Sequence, residues 1–358
     1  MRNPLPSLVG VAAVLAAGTV TIQAESSIFA QDHPIPIKVV VMAMYEIGED
    51  TGDRPGEYQF WVERSGFDHK VAFPLGYRDF YLRDDGFMAL LTGPGLTQSA
   101  VTLAALGLDP RFDFSRTYWI VAGIAGGDPE DVTLGSAAWA EWIVDGDLAY
   151  EIDATEIPED WPYGYVPLGG TKPNSLEGGW TVENIAFQLN PGLVEWAYQT
   201  SKDVDLGDHP EMVAFRKQFE GYPKAQEPPT VLKGDTLAAS TYWHGFKLNQ
   251  WANDWMKLHT DGQANFVMSN MEDTGTLTGL FRLAEEGLVD KDRILVLRTA
   301  SNFTTPPPGE SAAWSTTADY PADGRPALEA AYKVALPVVE ALLEGWEVYA
   351  DSLPGTVE

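Results

Sequence analysis

Five short apolar runs, each opening into glycines or small polar residues, constrain this chain more than any other feature. They are "IPIKVVVMAMYE" (35–46), "GFMALLTGPG" (86–95), "RTYWIVAGIAGG" (116–127), "ANFVMSNME" (264–272) and "RILVLRT" (293–299), with Asn302 expected in the loop that follows the last of them. Near-continuous Val, Ile, Leu and Met over so few residues predicts strands buried on both faces, the habit of parallel sheets. Helical apolar spacing follows at 98–109, which stops at Gly107, and at 242–259, 273–288 and 327–350. Residues 133–153 alternate as strand with a turn at Asp145-Gly146, and 229–236 reads as a further strand. Strands alternating with helices predict an α/β fold: a mostly parallel sheet flanked by helices.

Residues 154–228 change character, with Pro, Trp, Tyr and acids, then helical pieces near 191–202 and 209–219. This stretch reads as an insertion or lid within one domain spanning 33–353. In α/β sheets ligands gather outside the carboxyl ends of the strands. Those ends are Glu46, the 93–97 turn, the 123–128 loop, Gly234-Asp235, Met271-Glu272 and Ser301-Asn302.

Several function classes drop out. Acidic residues number 52 against 23 basic, a net charge of −29. Nucleic-acid and anionic-membrane binding draw their affinity from basic patches, so neither is expected. The five His show no ligand spacing, so no metal is expected. With no Cys and no Gly-x-Ser-x-Gly, thiol and elbow-serine hydrolases are unsupported. At the start, Arg2, the 13-residue apolar run 8–20 and small residues near Ala24 read as a secretory signal peptide, 1–24, with cleavage expected after Ala24 or Ala30. Its core is short of the roughly 20 apolar residues that span a bilayer. The expected location is therefore exported, periplasmic or extracellular, with no stable membrane span. The stretch 327–343 carries Glu, Lys and Glu and suits an amphipathic packed helix kinked at Pro337.

The candidate residues each carry two readings. "TGPGLTQS" (92–99), with Gly93, Gly95 and Thr97, is either a tight turn or a set of backbone donors at a helix start. Gly126-Gly127 is a turn or permits close backbone approach. Glu272 is a helix cap or a bidentate acceptor for two hydroxyls. Glu46, Glu49, Asp50, Asp53 and Glu57 form an acidic loop whose default is a solvated face, yet Glu46 beside a closed pocket would serve as a general base. Arg54 is a solvated loop cation or a phosphate partner.

Taken in order, "VVVMAMYE", "LLTGPGLTQSAV", "WIVAGIAGGDPEDVTLGSAAWAEWIV", "KGDT", "FVMSNMED" and "VLRTASN" resemble the successive motifs of the nucleoside phosphorylase and nucleosidase superfamily. The match spans roughly 36–305. "MYEIGEDTGDRPGEYQFW" and the insertion look closer still to the purine nucleoside permeases. The resemblance implies a phosphorylase-like mixed sheet and a purine nucleoside as ligand. It implies cleavage of the N-glycosidic bond by phosphorolysis or hydrolysis. No cofactor is implied, with inorganic phosphate as the co-substrate if the acceptor is phosphate. The alternative is a non-catalytic nucleoside-binding component with an uptake-system partner; a homo-oligomer is compatible with either. Carried over, Met271 and Glu272 match the Met-Glu that packs on and hydrogen-bonds ribose. Ser301 and Asn302 match the pair around purine N7. Glu46 lies near the water-activating Glu. Gly93, Gly95 and Thr97 match the loop beside the nucleophile. The 123–127 glycines, Gly126 among them, match the loop under ribose and base. Nucleosidases usually carry Asp where this chain has Asn302, and Asn cannot deliver a proton.

Overall fold

The structure, a computed structural model, describes residues 33–180 and 182–355. The expected signal peptide, 1–24, lies outside the described residues. Every residue of Val39–Ala43 and Phe87–Leu91 is buried. These two strands pair in parallel, and Val39–Ala43 pairs in parallel with Tyr118–Val121 on its other edge. The apolar composition is thus explained by helices or neighbouring layers covering both faces.

The ten-residue strand Tyr118–Gly127 organises the site. One edge runs parallel to Ile294–Phe303 along its length. The other edge is shared: Val39–Ala43 takes the first half, and Phe266–Asn270 joins antiparallel only at Gly126 and Gly127. The sheet forks between these two partners. Six of the strand pairings in the main sheet are parallel and five antiparallel, so the sheet is mixed.

Two helices meet behind the fork, Leu96–Gly107 and Asp273–Glu285. They approach so closely that a Cβ on Gly275 would lie 2.1 Å from the Leu96 carbonyl oxygen. Helix Arg325–Glu344 covers the sheet with Leu328, Val334, Val338, Val339 and Leu342 buried, and it continues through Pro337. The expected helix 327–350 is broken at Gly345, after which Trp346–Tyr349 forms a separate turn.

The 154–228 segment wraps the sheet. It supplies the hairpin strand Tyr165–Pro167 and the edge strand Ala186–Gln188. Its helix Pro191–Ser201 packs on Arg325–Glu344. None of the segment's described residues lines the central cavity. Among the described residues no helix is long and apolar enough to cross a membrane.

Candidate functional site

The fork leaves Ile124 without a strand partner on one edge, and both of its backbone groups point there. Buried backbone groups must be satisfied. The Glu57 carboxylate accepts the Ile124 N–H at 2.6 Å and the Met44 N–H at 2.6 Å, bridging the two strands where they part. The Ile124 carbonyl accepts from Arg298 Nη1 at 3.0 Å. Gly123 makes room for both, since a Cβ there would sit 2.7 Å from Arg298 Nη1 and 2.9 Å from Glu57 Oε1.

Arg298 is buried in the strand Ile294–Phe303. Its Nη2 reaches Asp273 Oδ1 at 2.5 Å, Glu272 Oε2 at 3.1 Å and Asn270 Oδ1 at 3.3 Å. Its Nε reaches Asp273 Oδ1 at 3.0 Å. Asp273 is held on its other oxygen by Asn270 and Thr236. One guanidinium therefore faces three buried carboxyl groups: Glu57, Glu272 and Asp273. Burial pushes the Glu57 carboxyl up to about 7, against the lowering pull of Arg298 and with the charge of Glu272 adding to the rise. Burial likewise raises Glu272, and Arg298 opposes it.

Above this cluster opens a cavity of about 530 Å³, within the range of small-molecule sites. Tyr45, Glu57, Met271 and Glu272 line one part of it; Gly126, Ser301 and Asn302 line another. Tyr242 and Tyr320 also line it. Consecutive side chains of a regular strand point to opposite faces. Ser301 and Asn302 nevertheless both line the cavity, because the pairing with Tyr118–Gly127 shifts register between Ala300 and Asn302. The bulge re-aims a side chain. Asn302 was expected in a loop after its strand; it lies within the strand, opposite Gly126.

The structure brings Met271, Glu272, Ser301, Asn302 and Gly126 to one cavity. It does not bring Glu46. That carboxylate turns back on its own loop, accepting N–H groups of Ile47, Gly56, Tyr58 and Gln59 at the start of helix Gln59–Arg64. The acidic loop is also not simply solvated. Glu57 is buried at the fork, and buried Asp50 binds Lys70, Arg78 and Tyr81. Arg54 is exposed and lies 3.7 Å from Asp323; it does not line the cavity, although its charge reaches Tyr45, which does. Of the 93–97 turn only Pro94 lines the cavity. Gly93 and Gly95 take φ of 87° and 85°, which favours glycine, and Thr97 is exposed on the first helical turn. Glu272 is the residue before helix Asp273–Glu285, but its side chain makes no cap there; it is turned into the cavity.

Sequence reasoning missed Glu57, Arg298, Asp273 and the three tyrosines. Arg298 did carry a signal: an Arg inside an apolar strand is buried only with partners. Glu57 carried none, because its role comes from strands that are distant in sequence.

A family model for purine nucleoside permease (NUP) matches residues 36–354. The chain is similar to a purine nucleoside permease of Candida albicans, 32% identical over 282 residues, 77% of this chain and 67% of that protein. It is also similar to a probable purine nucleoside permease of Schizosaccharomyces pombe, 28% identical over 221 residues, 60% of this chain and 63% of that protein. Its fold is similar to the 5′-methylthioadenosine/S-adenosylhomocysteine nucleosidase of Neisseria meningitidis, with TM-score 0.50 and 15% identity over 85% of this chain and 99% of that one. The corresponding enzyme of Helicobacter pylori gives TM-score 0.50 and 14% identity over 86% and 98%. The family model matched over residues 36–354, with the 32% identical relative from Candida albicans, shows that this chain belongs to the purine nucleoside permease family.

Proposed function

We propose that this chain binds purine nucleosides and cleaves their N-glycosidic bond. The observation that carries this reading is the convergence on one cavity of a carboxyl near neutrality, Glu57, with Met271-Glu272 and Ser301-Asn302. Glu272 Oε1 accepts only from the Gly95 N–H and keeps an acceptor position for a ribose hydroxyl, while Oε2 is already engaged by Met271 and Arg298. Met271 beside it packs on the sugar. The amide of Asn302 is oriented, because the Phe303 carbonyl 3.2 Å from Nδ2 can only accept. Its second N–H lies beside the Tyr242 hydroxyl and can turn to donate to the leaving purine as negative charge moves onto the ring. Glu57 supplies a general base at working pH.

The permease names of the relatives favour a second reading, a nucleoside-binding component of an uptake system. Under it the same clamp holds the ligand and no bond breaks. Incubation of the pure protein with inosine, guanosine and adenosine separates the two. Release of free purine base supports cleavage, whereas tight binding with intact nucleoside sinks it. Glu272→Ala should weaken nucleoside binding at least about tenfold, from the loss of hydrogen bonds to a charged group worth roughly 1.5–3 kcal/mol. Unchanged affinity in a folded variant would remove the ribose clamp from both readings.

A further inference from the structure

We infer that the acceptor is water and that inorganic phosphate is excluded, because the chain's own carboxylates already occupy the places an incoming phosphate would need. This rests on the cleavage reading above. Phosphate is held by backbone N–H groups at a helix start or by Arg and Lys. The helix start beside the cavity is Leu96, after the Gly93–Gly95 turn. The two donors nearest the cavity are engaged: the Gly95 N–H lies 3.3 Å from Glu272 Oε1 and the Leu96 N–H 3.4 Å from Ser240 Oγ, while Thr97 and Gln98 are exposed outside the cavity lining. Glu272 is itself the anion at that terminus.

The buried cation is spent, and the exposed Arg54 lies against Asp323 outside the lining. Arg298 donates from Nε, Nη1 and Nη2 to Asp273, Ile124, Asn270 and Glu272, and its side chain is 1% exposed. Among the described residues that line the cavity there is no Lys, Arg or His. Two carboxyl groups line it, Glu57 and Glu272, with Asp273 behind. A phosphate dianion entering would meet like charge at the buried Glu57 and Glu272 carboxyls. A water molecule meets no such barrier.

Glu57 is placed to activate that water. Each of its oxygens takes one backbone N–H and keeps a further acceptor position. The water oxygen forms a bond to ribose C1′ while the bond from C1′ to the purine nitrogen breaks. The electron pair of that bond leaves with the purine, held by Asn302. Glu57 takes a proton from the water and the purine takes one from solvent; Glu57 returns its own to solvent afterwards. The sum is nucleoside plus water giving ribose plus purine.

The test uses the full chain with inosine in ¹⁸O-water, in phosphate-free and phosphate-saturated buffer. The expected products are hypoxanthine and ribose carrying ¹⁸O at C1, measured promptly against an unlabelled-ribose exchange control, with a rate indifferent to phosphate. Ribose 1-phosphate, or a rate that requires phosphate, overturns the inference while leaving cleavage intact. Intact inosine in both buffers overturns cleavage and this inference together. Glu57→Gln should lower kcat by about 10²–10⁴-fold, the range of general-base contributions, with nucleoside affinity changed less than about threefold. A folded Glu57→Gln enzyme with wild-type kcat overturns the role of Glu57. Should that variant not fold, the isotope and phosphate results on the unaltered chain still decide the acceptor.

Discussion

At Glu57 burial lifts the carboxyl from 4.5 to about 7. Between those values the folded chain keeps a proton that the unfolded chain has released. Stability from this group therefore falls as pH rises from about 4.5 to about 7 and stays lower above it. Turnover should run the other way, because the base must be free of its proton. The groups facing Glu57 are Arg298, Glu272 and Tyr45, so the apparent value belongs to the cluster. We expect kcat/KM to rise through neutrality while the melting temperature declines over the same interval, and Glu57→Gln to flatten the melting trend. A flat kcat/KM profile across neutrality would count against the base. Asn302 makes a second test at this scale. Asn302→Asp replaces an N–H donor with an acceptor facing the purine, so the inosine-to-adenosine activity ratio should fall about tenfold, the worth of about one hydrogen bond. Asn302→Ala should cost about 1–2 kcal/mol of stability, more than an exposed loop residue, because its bonds to Ser301 and Phe303 lie inside a strand. An unchanged ratio would mean that the base is read elsewhere.

Among the elements, the contact between Leu96–Gly107 and Asp273–Glu285 sets the distance from the Gly95 N–H to Glu272. Gly275 is what allows it, and the atom it approaches is backbone, which cannot rotate aside. Gly275→Ala should destabilise by about 1–3 kcal/mol or more through overpacking and should also weaken nucleoside binding by moving the turn off Glu272. Denaturant unfolding and equilibrium binding on the same preparation check both halves; a stable variant with normal affinity would show that the helices can part freely. The bulge at Ser301 is the other decisive element. It lets one strand present two neighbouring side chains to the cavity, which alternation forbids.

The molecule as a whole carries a net charge of −29. Such an excess repels itself, and salt screens it. The melting temperature should rise with sodium chloride until screening saturates; a fall or no change would show that the acidic groups are already paired. The described part of the chain contains several such pairs, but many Asp and Glu are exposed without one. Export is a further expectation at this scale: the mature chain should begin near residue 25 or 31, and N-terminal sequencing of protein recovered outside the cytoplasm checks it.

The apolar runs determined the strands, because burial on both faces demands uninterrupted hydrophobic residues, and spacing located the helices to within a few residues. Met271, Glu272, Ser301, Asn302 and Gly126 were legible because carboxyl ends of strands are where α/β sheets place ligands. Glu46 and Glu57 were not separable in sequence: two acids eleven positions apart in one loop look alike. Only the fork in the sheet decided between them. It left Met44 and Ile124 with unpaired N–H groups, and the carboxylate that reached them was Glu57. The same long-range contact made Arg298 a shared counterion for three carboxyl groups, which no local pattern encodes.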